Sequence, residues 1–470
     1  MNFFLRDGAH AHEADLSEPL DRHAAMYITT SRSHEHPPCL GLIQKFDEVI
    51  PRETLTEHVR DLVSNPTGIG RRVVRPALPG ARARWAPNAD IPPWALRILT
   101  NPIEDPVRLA DLIDEEISAQ PDPLRNHGWR FTAIPTTDGG MMVINWTNHA
   151  FGDARSIMES VFAPREVWSS VNGTASGAAH RPGVIEELSD IAVRVRSGVE
   201  GSLRIARDVA VASWSPWYRG KQLSALRPAV EALLRPKHVV GAFSSRRVIT
   251  LARVTHSEWR AVANAHGGSS NTLFLAMLGN LIRTSRGARG ERDDRQLRLL
   301  LPVDIGPFLP PDADRSNTVI ASFVLFEPGA VYYGDLSGVR AATKVAIEKA
   351  VAQRELSVSN LPHGLVDAMN LLPSAITNRI AARVQASVDG VASNVGPIPA
   401  HIGKIGKHMA TDMFLVATPT HTDISGTFGR NGDTSTLSFV ADPAQLGPAG
   451  TLRERVAAEF DAWGVRAEFL

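Results

Sequence analysis

The stretch from Trp129 to about Trp168 constrains the fold more than any other part of the chain. Two runs with strand character, WRFTAI (129 to 134) and MMVINWT (141 to 147), are separated by Pro135, Asp138, Gly139 and Gly140. That spacer has the turn chemistry of an antiparallel hairpin. In the second run Met142, Ile144 and Trp146 alternate with Val143, Asn145 and Thr147, so the strand shows two different faces. It leads through NHAFGD into a helical pattern from Ala154 to about Trp168, with Ile157, Met158 and Val161 as its apolar stripe.

Mixed elements surround this unit. Residues 24 to 33 and 39 to 46 read as strands, and Arg52 to Val63 reads as a helix opening after Pro51. Residues 76 to 106 are rich in proline and arginine and read as an irregular excursion anchored by Trp85 and Trp94. Helical spacing returns over 107 to 119. Residues 170 to 184 have linker composition, and 185 to 213 form a long helix. That helix reads as a crossover packed on its apolar side, with a membrane-surface contact as the alternative. The second half opens with the strand RRVITLARV and the helix HSEWRAVANAHG, and Ser270 or Asn271 is placed as the cap of NTLFLAMLGNLIR. Strands LRLLLPVDI and NTVIASFVLF, a helix near 336 to 353, a hairpin turning at Asn431-Gly432 and a last helix over 450 to 463 complete it. At 470 residues the chain exceeds one ordinary core. Its expected division is 1–180, a linker and crossover helix over 181–243, and 244–470.

Composition excludes several functions. Fifty basic and fifty acidic residues cancel, so no large field draws the chain to nucleic acid. An apolar fraction of 43% and a charged fraction of 21% are those of a soluble globular protein, and no uninterrupted apolar run is long enough to span a bilayer. The N-terminus has no secretory pattern, which points to the cytoplasm. A single cysteine, Cys39, excludes an internal disulfide framework; following Pro37 and Pro38 in an apolar run, it reads as a buried strand thiol rather than a nucleophile. His10, His12, His34 and His36 lack a third ligand at helical spacing, so no metal is expected. No G-x-S-x-G elbow and no P-loop occurs.

The chemistry concentrates in WTNHAFGDA. An imidazole directly after a strand is suited to general-base work, because imidazole titrates near neutral pH. Asp153, four residues on, is placed to brace the turn, and Gly152 lets the backbone turn sharply beside it. By spacing alone H-x-x-x-D is a common chance pattern.

The ordered set of motifs is more specific. The NHAFGD segment, a third of the way along the chain, resembles the HHxxxDG segment of the condensation superfamily. Within it, the chain looks most like the bacterial wax ester synthase/diacylglycerol acyltransferase family and its natural-product relatives. LSEPLDRHAAMYI and GLIQKFDEVIPRETLTEHV are similar to that family's opening, and NTLFLAMLGNLIR to its N-D-x-x-L-A helix. LPVDIGPF with NTVIASFVLF resembles its strand pair, and VASNVGPIP (391 to 399) its SNVPGP segment.

This resemblance implies an α/β fold of two chloramphenicol-acetyltransferase-like sandwich domains with a tunnel between them, which can be completed within one monomer. It implies His149 as general base, Asp153 as structural aspartate, and no cofactor beyond an acyl-CoA or acyl carrier protein donor. The acceptor would be a small-molecule hydroxyl of a secondary metabolite or lipid alcohol, with membrane contact allowed but not required. Asn148 stands in place of the first motif histidine, either holding the loop or donating to an oxyanion, and Ala154 replaces the final glycine. Gly306 stands where the family often has arginine. Asn394 and Gly396 either line the tunnel or shape a crossing between domains, Asn271 is a helix cap or a substrate contact, and Asp304 a site residue or a strand-end brace. The alternatives in function are a condensation-like fold kept for binding, or the same fold making an amide or a ring on a carrier-bound substrate.

Overall fold

A computed structural model describes residues 18–21, 24, 25, 27, 28, 38–65, 68–78, 80–88, 91–119, 121–124, 127–158, 183–214, 246–292, 294–305, 319–329, 332–352, 376, 387–418, 422–448 and 450–470. In the first part of the chain the strands are β1 (Glu18–Pro19), β2 (Cys39–Phe46), β3 (Arg71–Val74), β4 (Arg84–Pro87), β5 (Leu96–Ile98), β6 (Trp129–Pro135) and β7 (Met141–Asn148). Helices α1 (Arg52–Ser64), α2 (Pro106–Ile117), the short α3 (Ala154–Ser156) and the long α4 (Val184–Trp214) accompany them. The later part has strands β8 (Val248–Thr255), β9 (Leu297–Asp304), β10 (Val319–Phe326), β11 (Gly390–Pro397), β12 (Lys404–Ile405), β13 (His408–Met409), β14 (Asp412–Ala417), β15 (Ile424–Asn431), β16 (Thr434–Ala441) and β17 (Glu468–Phe469). Its main helices are α5 (His256–Ala265), α6 (Ser270–Ala288), α7 (Ser337–Ala352) and α8 (Leu452–Ala462).

Two large sheets organise these elements. One has the order β14-β2-β7-β6-β5, the other β10-β9-β11-β15-β16-β8-β17. The first sheet therefore takes its edge strand from far along the chain: Asp412–Ala417 pairs antiparallel with Lys45–Leu40. Met413, Phe414, Leu415 and Val416 are all buried there, and each contributes about 1.5–3 kcal/mol of apolar burial. β14 also touches the second sheet, because Ser425 Oγ donates to the Ala417 carbonyl at 2.7 Å and Arg253 Nη1 to Asp412 Oδ2 at 2.7 Å. One core packs α1 on a face of the first sheet, and another packs α5, α6 and α8 on the second. A third is shared: Cys39, Ile144 and Trp146 meet Leu112 and Ile113 of α2 together with Leu251 and Val440 of the second sheet. The expected α/β architecture of two lobes is the one found.

Local chemistry accounts for several ends. Asp105 caps α2 by accepting from the Val107 N–H at 2.9 Å, with Pro106 in the first turn where no N–H is needed. α6 is capped by Ser269 and not by Ser270 or Asn271. Ser269 and Thr272 cap each other reciprocally, which frees the Asn271 side chain. The last hairpin turns at Gly432-Asp433, one residue later than expected, since Asn431 still pairs with Thr434 and Gly432 takes the positive φ of 56°.

Other expectations are corrected. The described residues between 24 and 28 are helical, not extended, because the Asp21 carboxylate accepts from the Ala24 N–H at 2.9 Å and starts a turn. The excursion over 76–106 contains β4 and β5; Trp85 is buried in it, while Trp94 leaves 45% of its surface exposed. Among its described side chains, α4 does not pack on its apolar side. Its Glu187 accepts from the Ala77 and Leu78 N–H groups at 3.0 and 2.7 Å, and Asp190 from the Arg82 N–H at 2.8 Å. Arg194 donates to the Gly80 carbonyl. An irregular loop needs partners for its backbone groups, and charged side chains supply them where an apolar face cannot. The continuation of the helix towards Trp168, residues 170–182 of the expected linker, Gly306 and the four N-terminal histidines lie outside the described residues.

Candidate active site

β7 delivers the motif loop. Its last residue, Asn148, pairs with Cys39 across the sheet and donates its N–H to the Gly128 carbonyl at 2.8 Å. The Asn148 side chain is fully buried. Its Oδ1 accepts from the Ala150 N–H at 2.9 Å, and its Nδ2 donates to the Pro121 carbonyl at 3.0 Å. One amide thus caps the 3-10 turn His149–Phe151 and ties it to the loop before β6. The His149 N–H donates to the Pro38 carbonyl at 2.9 Å, and Phe151 seats the turn by packing on Trp85 with ring centroids 5.0 Å apart.

Gly152 closes the turn at φ 151° and ψ 176°, a backbone region that residues with a Cβ avoid. A Cβ there would also sit 2.9 Å from that of Ser156. Asp153 is buried and accepts from the Ser156 N–H at 2.8 Å, so it caps α3.

The His149 ring stacks on Tyr27 at 4.3 Å between centroids and 27° between planes. His149 keeps partial exposure while its Nδ1 is buried. Burial, then the Asp153 carboxylate, then Asp21 push the Tyr27 phenol above its ordinary range, so it remains a neutral platform for the imidazole. The Cys39 thiol, buried in β2, is likewise pushed up by desolvation, which suits a packing role and not a thiolate nucleophile.

The loop stands at the seam between the sheets. Leu40 and Gly41 of β2, Ala154 and Ile157 after the motif, Leu415 of β14 and Val395 of β11 line a small apolar cavity of about 10 Å³. Val395 enters it because β11 bulges between Asn394 and Gly396, where Gly396 takes φ 67° and its N–H donates to Asn394 Oδ1 at 2.9 Å. Asn394 Nδ2 in turn donates to Asn271 Oδ1 at 2.9 Å, joining the bulge to the first turn of α6. The structure therefore brings the motif loop and the SNVGPIP strand to one seam, with Asn271 linked to it through Asn394.

Two residues of this region were not singled out in the sequence. Tyr27 falls within LSEPLDRHAAMYI, but only the tertiary fold places it on His149. Arg155, directly after the motif, reaches across the seam to Asp304 at the end of β9, with Nη1 2.7 Å from Oδ2. Asp304 thus pairs with a residue of the opposite lobe.

No family model matches the sequence, and no curated protein matches it. Solved structures do. The wax ester synthase/diacylglycerol acyltransferase from Marinobacter aquaeolei VT8 is 15% identical, with 95% of this chain and 98% of that one covered at a TM-score of 0.57. The trichothecene 15-O-acetyltransferase from Fusarium sporotrichioides is 13% identical, with 94% and 92% covered at 0.57. The first condensation domain of the CDA synthetase is 14% identical, with 97% of both chains covered at 0.53. The chain has the two-lobed fold shared by these condensation and acyltransferase structures. Among them is the wax ester synthase type that the ordered sequence motifs resemble.

Proposed function

We propose that this chain is an acyltransferase that moves an acyl group from a CoA or carrier-protein thioester to a hydroxyl acceptor, a secondary metabolite or lipid alcohol, in the cytoplasm. The observation that carries the reading is His149, held on a capped turn at the seam between the two sheets with its Nδ1 buried. The Nε2 edge is then the part of the ring that meets a substrate. Nε2 takes the proton of the acceptor hydroxyl as its oxygen attacks the thioester carbonyl. The tetrahedral intermediate collapses, the carbon–sulfur bond breaks, and the imidazolium returns the proton to the departing thiolate. Both reactants are held in one cleft, so proximity supplies much of the rate and no covalent enzyme intermediate is needed.

Asp153 and Asn148 act as positioning residues, since their side chains are spent on holding the turn. Asn271, Asn394 and Gly396, joined to one another beside Val395, are the residues we assign to contact with the thioester arm. The reaction draws on no group beyond the donor itself.

The test is thiol release from a panel of acyl-CoA donors and acyl carrier proteins, with and without a pool of alcohols and amines, comparing wild type with His149→Ala. Acceptor-dependent release that is lost in the variant supports the reading. Release unaffected by the substitution removes His149 as the base. Silence with every donor, from a protein that melts cooperatively, turns the reading towards a binding module.

A further inference from the structure

Helix α4 is amphipathic in reverse. The side chains it turns to the protein include Glu187, Asp190 and Arg194, which hold the loop over residues 77–82; Glu187 and Arg194 are only 6% and 7% exposed. On the outward side Val184, Ile185, Leu188, Val195, Val199 and Leu203 are 45 to 82% exposed. At about 100° per residue these six, with Ala192, fall within a sector of roughly 100°, and the stripe runs for about 28 Å. No charged residue interrupts it. An apolar stripe of this length and regularity is rare on a free surface, because nothing in water rewards it.

We propose that this stripe is a self-association surface, on which two copies of the chain pack α4 against α4 about a two-fold axis. Three observations favour a second copy. The first is area. The six side chains expose on the order of 600 Å² of apolar surface, which two copies raise to the ~1,200 Å² where specific interfaces begin. The second is charge. A helix that lies on anionic lipid is bordered by lysine and arginine, and apolar faces of that kind carry Trp or Phe. Among the described side chains, the exposed charges bordering the stripe are Glu186, Arg196 and Glu200, and Arg196 is already paired to Glu200 at 2.7 Å. The third is shape. Valines around Ala192 give a low, even ridge, which lets two helices approach at the ordinary 8–10 Å between axes. Since the same patch serves both partners, the contact closes on itself and stops at the dimer.

The test uses the full chain in sedimentation velocity and light scattering at tens of micromolar. A wild-type dimer that becomes monomeric in Leu188→Glu with Val195→Glu, at an unchanged melting temperature, supports the proposal. Ala192→Cys lies near the middle of the stripe, and the native Cys39 is buried, so oxidation should link two copies through residue 192 alone. A wild type that is monomeric at these concentrations overturns the proposal, as does a dimer that survives the double substitution or fails to cross-link. A monomer that floats with neutral phosphatidylcholine vesicles, and is released by the same substitutions, also overturns it and assigns the stripe to a lipid surface.

Discussion

Arg155 Nη1 stands 2.7 Å from Asp304 Oδ2, and this pair joins the helix leaving the His149 loop to the end of a strand in the other sheet. The side chains are 47% and 32% exposed, so solvent screens them, and an exposed pair of this kind adds at most ~1 kcal/mol to stability. Its effect is on placement. Arg155→Ala should leave the melting temperature within a degree or two and lower thioester turnover about tenfold, the scale of a ~1.4 kcal/mol loss in alignment. Exchanging the charges, Arg155→Asp with Asp304→Arg, should restore most of that turnover, whereas either reversal alone should not.

Asn148 makes the opposite prediction. It is fully buried and satisfies two backbone groups, the Ala150 N–H and the Pro121 carbonyl. Asn148→Ala leaves both without a partner at ~1–3 kcal/mol each. Urea denaturation should show a loss of about 2–5 kcal/mol, and Asn148→Asp, which keeps only the acceptor, should fall between. If Asn148→Ala keeps full stability and loses only turnover, its amide serves the reaction and not the turn.

Gly152→Ala should damage the site through backbone strain. At φ 151° a Cβ costs ~1–3 kcal/mol, and it meets the Ser156 Cβ at 2.9 Å as well. The expected outcome is a folded protein with a melting temperature several degrees lower and turnover at least tenfold reduced. Differential scanning calorimetry beside the thiol-release assay separates the two effects.

Glu459 gives a pH dependence. Burial pushes its carboxyl up to about 7, and hydrogen bonds from Tyr333 and Asn280 offset this only in part. In the unfolded chain a glutamate titrates near ~4.3, so between these values the folded state binds more protons. Its contribution is fully present below the unfolded value and is lost as pH rises through about 7. Unfolding free energy measured from pH 4 to pH 8 should show this decline, and Glu459→Gln, whose oxygen can accept from Asn280 while its amide donates to the Tyr333 oxygen, should flatten it.

What could be read in advance follows from sequence separation. Gly152, Asp153 and the Oδ1 of Asn148 act on groups within a few residues, and the motif loop was legible for that reason; the bond from Asn148 Nδ2 to Pro121 spans 27 residues and was not. Asn271 and Asn394 meet across 123 residues, and Arg155 and Asp304 across 149, so neither pair left a local trace. Trp85 and Trp94 look alike in sequence, yet one is buried and the other half-exposed, because β4 lies within a small sheet between β1 and β3 and Trp94 lies in a turn. α4 misled for a related reason. Its apolar stripe was visible, but the demand of the 77–82 loop for charged partners was not.

The contribution of β14 to the first sheet sets an order on synthesis. As the ribosome extends the chain, β2 can pair with β7 once residue 148 has emerged, but its other edge stays open until residues 412–417 follow. That edge, CLGLIQKF, is apolar and rich in strand formers, the type of exposed template on which nascent chains aggregate. A truncated N-terminal half should therefore be recovered largely in inclusion bodies, and adding a peptide that spans 410–418 during refolding should return part of it to solution. The late strand serves the early sheet as its own chaperone.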